Sequence, residues 1–274
     1  MVNLRAKFEK SVEYIKSIFG SDFDIAIVLG SGLGNFAEKV SVVKSINVAD
    51  IPGYPLSTVE GHRGALHLVE EAGKKVLLFQ GRVHFYEGYN LSDCLIQTFI
   101  SKELGAKYFF LTNAAGGVNL FFKPGDLMFV NSIGSINIQK ELTSVIGVGT
   151  LDDKNRITAF PDSDFRKIID DASIKSGVIL KEGNYWFGKG PSYETPSEVR
   201  MIARLGFDAV GMSTAHEALY GSTLGMKTAV ISCITNFAAG MSPDKLSHEE
   251  VTITANLAAD NFERLVKEII NGLP

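Results

Sequence analysis

Three side chains of unlike hydrogen-bonding chemistry alternate in the stretch Gly81-Arg82-Val83-His84-Phe85-Tyr86-Glu87-Gly88-Tyr89. Arg82 brings a fixed cation, His84 an imidazole and Tyr86 a phenol. If the chain stays extended past Gly81, these three share one face, and Val83 and Phe85 take the other. A guanidinium with neutral donors beside it suits a phosphate, which Arg can grip through two hydrogen bonds. Spacing alone favours an edge strand with a solvated polar face. Three different donors framed by two glycines favour an anion site. The preceding run, Val76-Leu77-Leu78-Phe79, is wholly apolar and predicts a buried strand ending at the site.

Other stretches could meet a ligand in the same way. Gly30-Ser31-Gly32-Leu33-Gly34 follows the apolar run Ile25–Leu29. Strand, glycines, then helix is a route by which backbone amides turn toward a phosphate, and Ser31 adds a hydroxyl. The dinucleotide fingerprint wants a glycine where Asn35 stands, although Asp50 lies where a ribose-binding acid would be sought. A tight turn needing glycine for backbone reasons alone is the other reading. Thr112-Asn113-Ala114-Ala115-Gly116-Gly117 is a second small-residue turn after an apolar run, Tyr108–Leu111, with the amides of Ala114 and Ala115 available to an anion or a flat ring. Gly190-Pro191-Ser192-Tyr193-Glu194-Thr195 places an acid among Gly, Pro and aromatic residues, where a lowered dielectric obliges it to find a donor. Met212, in Val210-Gly211-Met212-Ser213, is either core or a soft floor under a sugar. Asn236, after the run Val230–Ile234, is either a satisfied turn residue or a bidentate amide aimed at a ligand edge.

Some chemistries are disfavoured. The five histidines, His62, His67, His84, His216 and His248, show no metal-ligand spacing with cysteines or acids. No GxSxG elbow occurs, which argues against serine esterase chemistry. The formal charge of −4 and the absence of a basic cluster argue against a nucleic-acid surface. Only two cysteines are present, Cys94 and Cys233, both within apolar segments, as expected of buried thiols in a reducing compartment. No apolar run approaches the roughly 20 residues that span a bilayer. A cytoplasmic protein is expected.

The elements that must position these residues alternate. Leu4, Phe8, Val12, Ile15 and Phe19 recur at helical spacing, and Gly20 ends that helix. Strands are expected at 25–29, 65–70, 75–80, 108–111, 126–130, 207–210 and 227–234, and 178–187 reads as a strand pair or one strand bent around Glu182-Gly183. Helices are expected at 91–104, 164–176, 196–205, from Ser213, and from Ser247 to Gly272, the last opened by a Ser247/Glu250 capping box. Residues 132–160 carry weaker patterning and read as a long loop with short helices. Alternating strands and helices with no linker or repeat predict a single α/β domain over residues 1–274.

Taken together, the stretches Gly30–Gly34, Gly61-His62-Arg63-Gly64, Gly81–Tyr89, Thr112–Gly117, Gly190–Thr195, Val210–Thr214, Thr235-Asn236 and His248-Glu249-Glu250 closely resemble the trimeric purine nucleoside phosphorylases. They fall in family order across nearly the whole chain. The resemblance implies one α/β domain with a mixed, twisted central sheet flanked by helices, assembled as a homotrimer. It implies reversible phosphorolysis, in which a purine nucleoside and inorganic phosphate give free base and ribose 1-phosphate. Phosphate is then a co-substrate, and no cofactor or metal is called for. Position by position, Ser31, His62, Arg82, His84, the amide of Ala114 and Ser213 match the family's phosphate site. Tyr86, Met212 and His248 match its ribose site, and Tyr193, Glu194 and Asn236 its base site. Phe160 matches the aromatic that reaches a neighbouring subunit's ribose.

In that chemistry His84, Glu194 and Asn236 would act on the reacting groups. An ionised Glu194 only accepts, so it suits the N1–H of a 6-oxopurine and repels the bare N1 of adenine. Asn236 can donate to O6 and accept from a protonated N7. Inosine and guanosine are therefore expected over adenosine. A methylthioadenosine phosphorylase shares the fold, but Asn236 and His248 speak against it. A dinucleotide-dependent oxidoreductase would explain Gly30–Gly34 and Asp50 but neither Gly81–Tyr89 nor Glu194.

Overall fold

The computed structural model describes residues 2–59, 64–242 and 248–274. In chain order the elements are α1 (Leu4–Phe19), β1 (Ile25–Leu29), β2 (Val42–Asn47), β3 (Ala65–Glu71), β4 (Lys74–Gln80), α2 (Leu91–Cys94), α3 (Ile96–Glu103), β5 (Tyr108–Gly117), β6 (Leu127–Gly134), α4 (Gln139–Ile146), α5 (Leu151–Thr158), α6 (Ser163–Ser176), β7 (Leu180–Phe187), α7 (Pro196–Arg204), β8 (Ala209–Gly211), α8 (Ala215–Thr223), β9 (Lys227–Phe237) and α9 (His248–Asn271). Short 3-10 turns occupy Gly34–Glu38, Val48–Asp50, Phe85–Glu87 and Ile136–Ile138.

The strands form one nine-stranded mixed sheet in the order β2-β3-β4-β1-β5-β8-β7-β6-β9, and β9 pairs again with β5. Five strands thus close into a ring, and β1, β4, β3 and β2 extend from it as an open wing. β5 is where ring and wing join. Its first half, Tyr108–Leu111, pairs parallel with β1. Its last residues, Gly116 and Gly117, pair antiparallel with β8. Along its whole length it runs parallel to β9, with a register shift between Ala115 and Gly116.

Period-two alternation sends neighbouring side chains of β5 into different cores. Phe109 and Leu111 join Phe8 and Ile15 of α1, Ile96 and Ile100 of α3 and Leu219 of α8. Tyr108 and Phe110 join Phe165 and Ile169 of α6 and Phe262, Leu265 and Ile269 of α9. Each fully buried Phe or Ile contributes about 1.5–3 kcal/mol relative to exposure. The expected helix–sheet–helix layering follows from strands apolar on both faces.

Several expectations need correcting. The helix expected at 91–104 breaks at Leu95 into α2 and α3. Thr112–Gly117 is no turn but the second half of β5, because β9 and then β8 go on supplying hydrogen-bond partners. For the same reason β9 runs on to Phe237, and Asn236 lies inside the strand. Past Gly81 the chain stays extended only to His84 and then coils into the Phe85–Glu87 turn, closed by Gly88 in a left-handed conformation. The glycine stretch 30–34 leads into a 3-10 turn, not an α-helix, so no helix N-terminus backs it. β2, unforeseen, is exposed except at Ile46, which leaves its strand little apolar pattern. Residues 132–160 hold the end of β6 and two two-turn helices. Ser247 of the expected capping box lies outside the described residues.

Candidate active site

The strand ends and loops around β5 line a shared cleft. Gly30 and Ser31 come from the exit of β1, Arg82, His84 and Tyr86 from the exit of β4, and Asn113–Gly116 from β5 itself. Tyr193 and Glu194 come from the loop after β7, Val210–Ser213 from β8 and its exit, and Thr235 and Asn236 from β9. Arg82 and Ser31 therefore share a cavity with Glu194 and Asn236, as the sequence reading requires. The Phe85–Glu87 turn keeps Tyr86 at the cleft: its ring stacks on His84 with centroids 4.8 Å apart and planes 19° apart.

Gly30 is fixed by a close approach. A Cβ there would sit 2.6 Å from the Asn113 Cα, so β1 can turn against β5 only without a side chain. At Gly190, φ is +64°, and a Cβ would lie 2.6 Å from the Met212 sulfur, so Met212 and the loop carrying Tyr193 and Glu194 close on one another.

The cationic end is buried and internally bonded. Arg82 is 3% exposed. Its Nη1 donates to Ser213 Oγ at 3.1 Å and to Thr214 Oγ1 at 2.7 Å. Its Nε lies 3.6 Å from Glu217 Oε2, which also accepts from the Thr214 backbone N–H at 3.1 Å. Burial pushes the Glu217 carboxyl above its ordinary value, against the pull of Arg82 and His84. Tyr185 donates its hydroxyl to Ser213 O at 3.0 Å and so anchors the same loop.

His84 is held by Glu87, whose Oε1 is 2.9 Å from Nδ1 and accepts the His84 backbone N–H at 2.7 Å. The other carboxylate oxygen accepts from the Thr58 backbone and from its hydroxyl. Burial opposes the charge on Glu87, but the His84 and Thr58 donors outweigh it and bring the carboxyl down to about 2. An ionised Glu87 requires the proton on Nδ1, so the tautomer of His84 is set. Tyr86 has its phenol pushed up to about 12, chiefly by burial, and so is a neutral donor.

The other end is more open. Tyr193 is 51% exposed. Burial, with the charge of Glu198 adding, raises the Glu194 carboxyl above its ordinary value. Among the described residues no side chain donates to that carboxylate. Asn236 is 8% exposed. Its Oδ1 accepts from the Thr235 hydroxyl at 2.9 Å, and its Nδ2 donates to Phe237 O at 2.9 Å. Each amide atom keeps one further hydrogen-bonding position. The Thr195-Pro196-Ser197-Glu198 start of α7 forms its capping box, so Glu194 stands immediately before a fixed helix end.

Ala114, Met212 and Ser213 line the cleft as expected. Phe160 does not: it lies between α5 and α6, half-buried against the core. His62 lies outside the described residues. His248 is the first residue of α9, and its side chain is likewise outside the description. Asp50 is exposed in its own 3-10 turn, away from the cleft, which removes the dinucleotide reading's acid. Glu87, Asn113, Thr214 and Glu217 carry the site's internal bonding, a role their sequence positions do not announce. Glu217 did leave a signal, a lone acid in the run Ala215–Leu219 beside His216. That histidine is also buried, with burial pushing it down to about 3, and neither ring nitrogen has a hydrogen-bond partner among the described residues. Among the described residues no cluster of His, Cys, Asp and Glu is placed to hold a metal ion, and no helix is long and apolar enough to cross a membrane.

Comparison with known proteins agrees with this geometry. The family model described as the phosphorylase superfamily matches residues 24–271. Purine nucleoside phosphorylase 1 of Geobacillus stearothermophilus is 38% identical over 279 residues, covering 98% of this chain and 98% of that protein. The crystal structure of Schistosoma mansoni purine nucleoside phosphorylase in complex with adenosine superposes with a TM-score of 0.87 at 30% identity, covering 98% of each chain. The inosine complex from Schistosoma mansoni gives a TM-score of 0.85 at 29% identity, covering 98% of this chain and 97% of that one. With the cleft, the mixed sheet and the match along nearly its whole length in agreement, the chain belongs to the phosphorylase superfamily.

Proposed function

We infer that the protein catalyses the reversible phosphorolysis of purine nucleosides, with inosine and guanosine preferred, giving free purine and ribose 1-phosphate. The observation that carries this reading is the single cleft that joins the Arg82–Ser213 cluster to the Glu194–Asn236 pair. Ser31, His62, Arg82, His84, the Ala114 amide and Ser213 hold phosphate. Tyr86, Met212 and His248 hold the ribose, with His248 at the 5′-hydroxyl. Tyr193, Glu194 and Asn236 hold the base.

The glycosidic bond breaks as positive charge grows on the sugar and negative charge on the departing purine. A phosphate gripped by Arg82 faces that cation, and charge-assisted hydrogen bonds of this kind contribute about 1.5–3 kcal/mol each. The free positions on Asn236 donate to O6 and accept from N7–H, which stabilises the leaving base. The carboxylate of Glu194 accepts N1–H.

Phe160 reaches the ribose of a neighbouring subunit in a homotrimer. Its place outside its own chain's cleft supports this, as do the exposed apolar side chains Ile136, Val148 and Leu151 in the same stretch of chain. The enzyme works in the cytoplasm in purine salvage and needs no cofactor. Inosine is to be incubated with and without phosphate. Hypoxanthine release that depends on phosphate and is matched by ribose 1-phosphate supports the reading; release in phosphate-free buffer would mean a hydrolase and end it.

A further inference from the structure

The loop between β8 and α8 holds Thr214 at φ 74° and ψ −43°. Ala215 N–H donates to Ser213 O at 2.8 Å across it, so the three residues form a positive-φ γ-turn. Such turns are rare and strained, and a β-branched residue suits them badly. Glycine would sit there without strain. The backbone is nevertheless pinned, by Glu217 on the Thr214 N–H and by Tyr185 on Ser213 O. What the strained turn achieves is to set the Thr214 hydroxyl among three polar groups.

A hydroxyl has one proton and two acceptor positions. Arg82 Nη1, at 2.7 Å, and Asn113 Nδ2, at 3.0 Å, can only donate, and together they fill both acceptor positions of Thr214 Oγ1. The Thr214 proton then goes to the remaining neighbour, Ser213 Oγ, at 3.1 Å. Ser213 Oγ now accepts twice, since Arg82 Nη1 also donates to it at 3.1 Å. Its own proton has two destinations left, the Tyr185 hydroxyl oxygen beside it and the cleft that Ser213 lines, and an anion in the cleft is the stronger acceptor. An anion in the cleft favours this sense of the chain, because the reverse sense would aim a lone pair at negative charge.

We propose that Thr214 is a positioning residue for phosphate: its hydroxyl, held by Asn113 and Arg82, turns the Ser213 proton outward as a standing donor to the anion. This rests on the reading of the Arg82–Ser213 end as the phosphate site. The test measures inosine cleavage with phosphate varied at saturating inosine, and with inosine varied at saturating phosphate. The variants are Ser213→Ala, Thr214→Val, Thr214→Ser and the double Ser213→Ala/Thr214→Val. Thr214→Val is expected to raise the KM for phosphate about tenfold while the KM for inosine stays within about twofold. Thr214→Ser, which keeps the hydroxyl, recovers most of the loss. On the Ser213→Ala background, Thr214→Val adds less than about threefold. Full additivity in the double variant, a parallel rise in both KM values, or no recovery by Thr214→Ser overturns the relay. If Ser213→Ala itself leaves the phosphate KM unchanged, the placement of phosphate is wrong and the relay falls with it. Should Thr214→Val not fold, Asn113→Leu carries the same expectation from the other end of the chain of hydrogen bonds.

Discussion

At one end of the cleft Arg82, His84, Ser213 and Thr214 are buried and bonded to one another and to Glu87, Asn113 and Glu217. At the other end Tyr193 is 51% exposed, and among the described residues no side chain donates to Glu194. The first end is finished before a ligand arrives, so its dipoles need no reorganisation when charge develops. The second end keeps its hydrogen-bonding capacity for what binds there. The contrast fits a reaction with one invariant reactant and one variable one: inorganic phosphate never changes, whereas the purine does. Choice of substrate should therefore be adjustable at the Glu194 end with little effect on the anion end.

The largest test of that contrast is Arg82→Met. Losing two or more charge-assisted hydrogen bonds should lower kcat/KM for phosphate by roughly 10²–10⁴-fold, read from initial rates. A loss under tenfold would mean that the finished end is not where the anion sits. Next comes Asn236→Ala, expected to lower kcat by about 10²–10³-fold with the phosphate KM little changed. Asn236→Asp should in addition move the inosine-to-adenosine ratio toward adenosine; equal ratios in variant and parent would remove Asn236 from the base site.

A smaller effect concerns pH. Burial raises the Glu194 carboxyl, so its proton returns at a higher pH than for an ordinary glutamate. Only the ionised form accepts N1–H, and kcat/KM for inosine should therefore fall on the acid side beginning above pH 4.5, the ordinary value. In Glu194→Gln that limb should vanish along with most of the activity. A limb that survives unchanged belongs to another group. The smallest effect is on stability. The folded carboxyl of Glu87 is depressed from 4.5 to about 2, so the stability it contributes is present above 4.5 and is lost as pH falls through that window. Glu87→Gln should flatten the melting temperature across it, and an unchanged slope would mean that His84 is held by something else.

How far the sequence alone reaches follows the same division. β1, β4, β5 and β9 are legible because uninterrupted apolar runs are what a strand buried on both faces requires. The outer strand β2 is not legible, since only Ile46 of its six residues is buried. The cleft-facing residues could be picked out by type and by family resemblance. The residues that hold them could not: Glu87, Asn113 and Thr214 are polar side chains in polar or small-residue surroundings, and nothing in their spacing says which neighbour each will meet. The extensions of β5 and β9 are illegible for a related reason. Whether small residues such as Ala114–Gly117 turn or continue depends on partners distant in the chain, here β8 and β9.

The closure of five strands upon β5 bears on how this protein can lose its function. A ladder that returns to its starting strand cannot slide by one residue at a single seam without mismatching the next, so the register of β9 against β5 is tied to every other pairing in the circuit. Asn236, opposite Gly116 in that register, cannot drift while the remainder stays native. Damage to this half of the molecule should thus be all-or-none: mild destabilisation would leave a smaller population of fully competent molecules, not a full population with a blurred preference among bases.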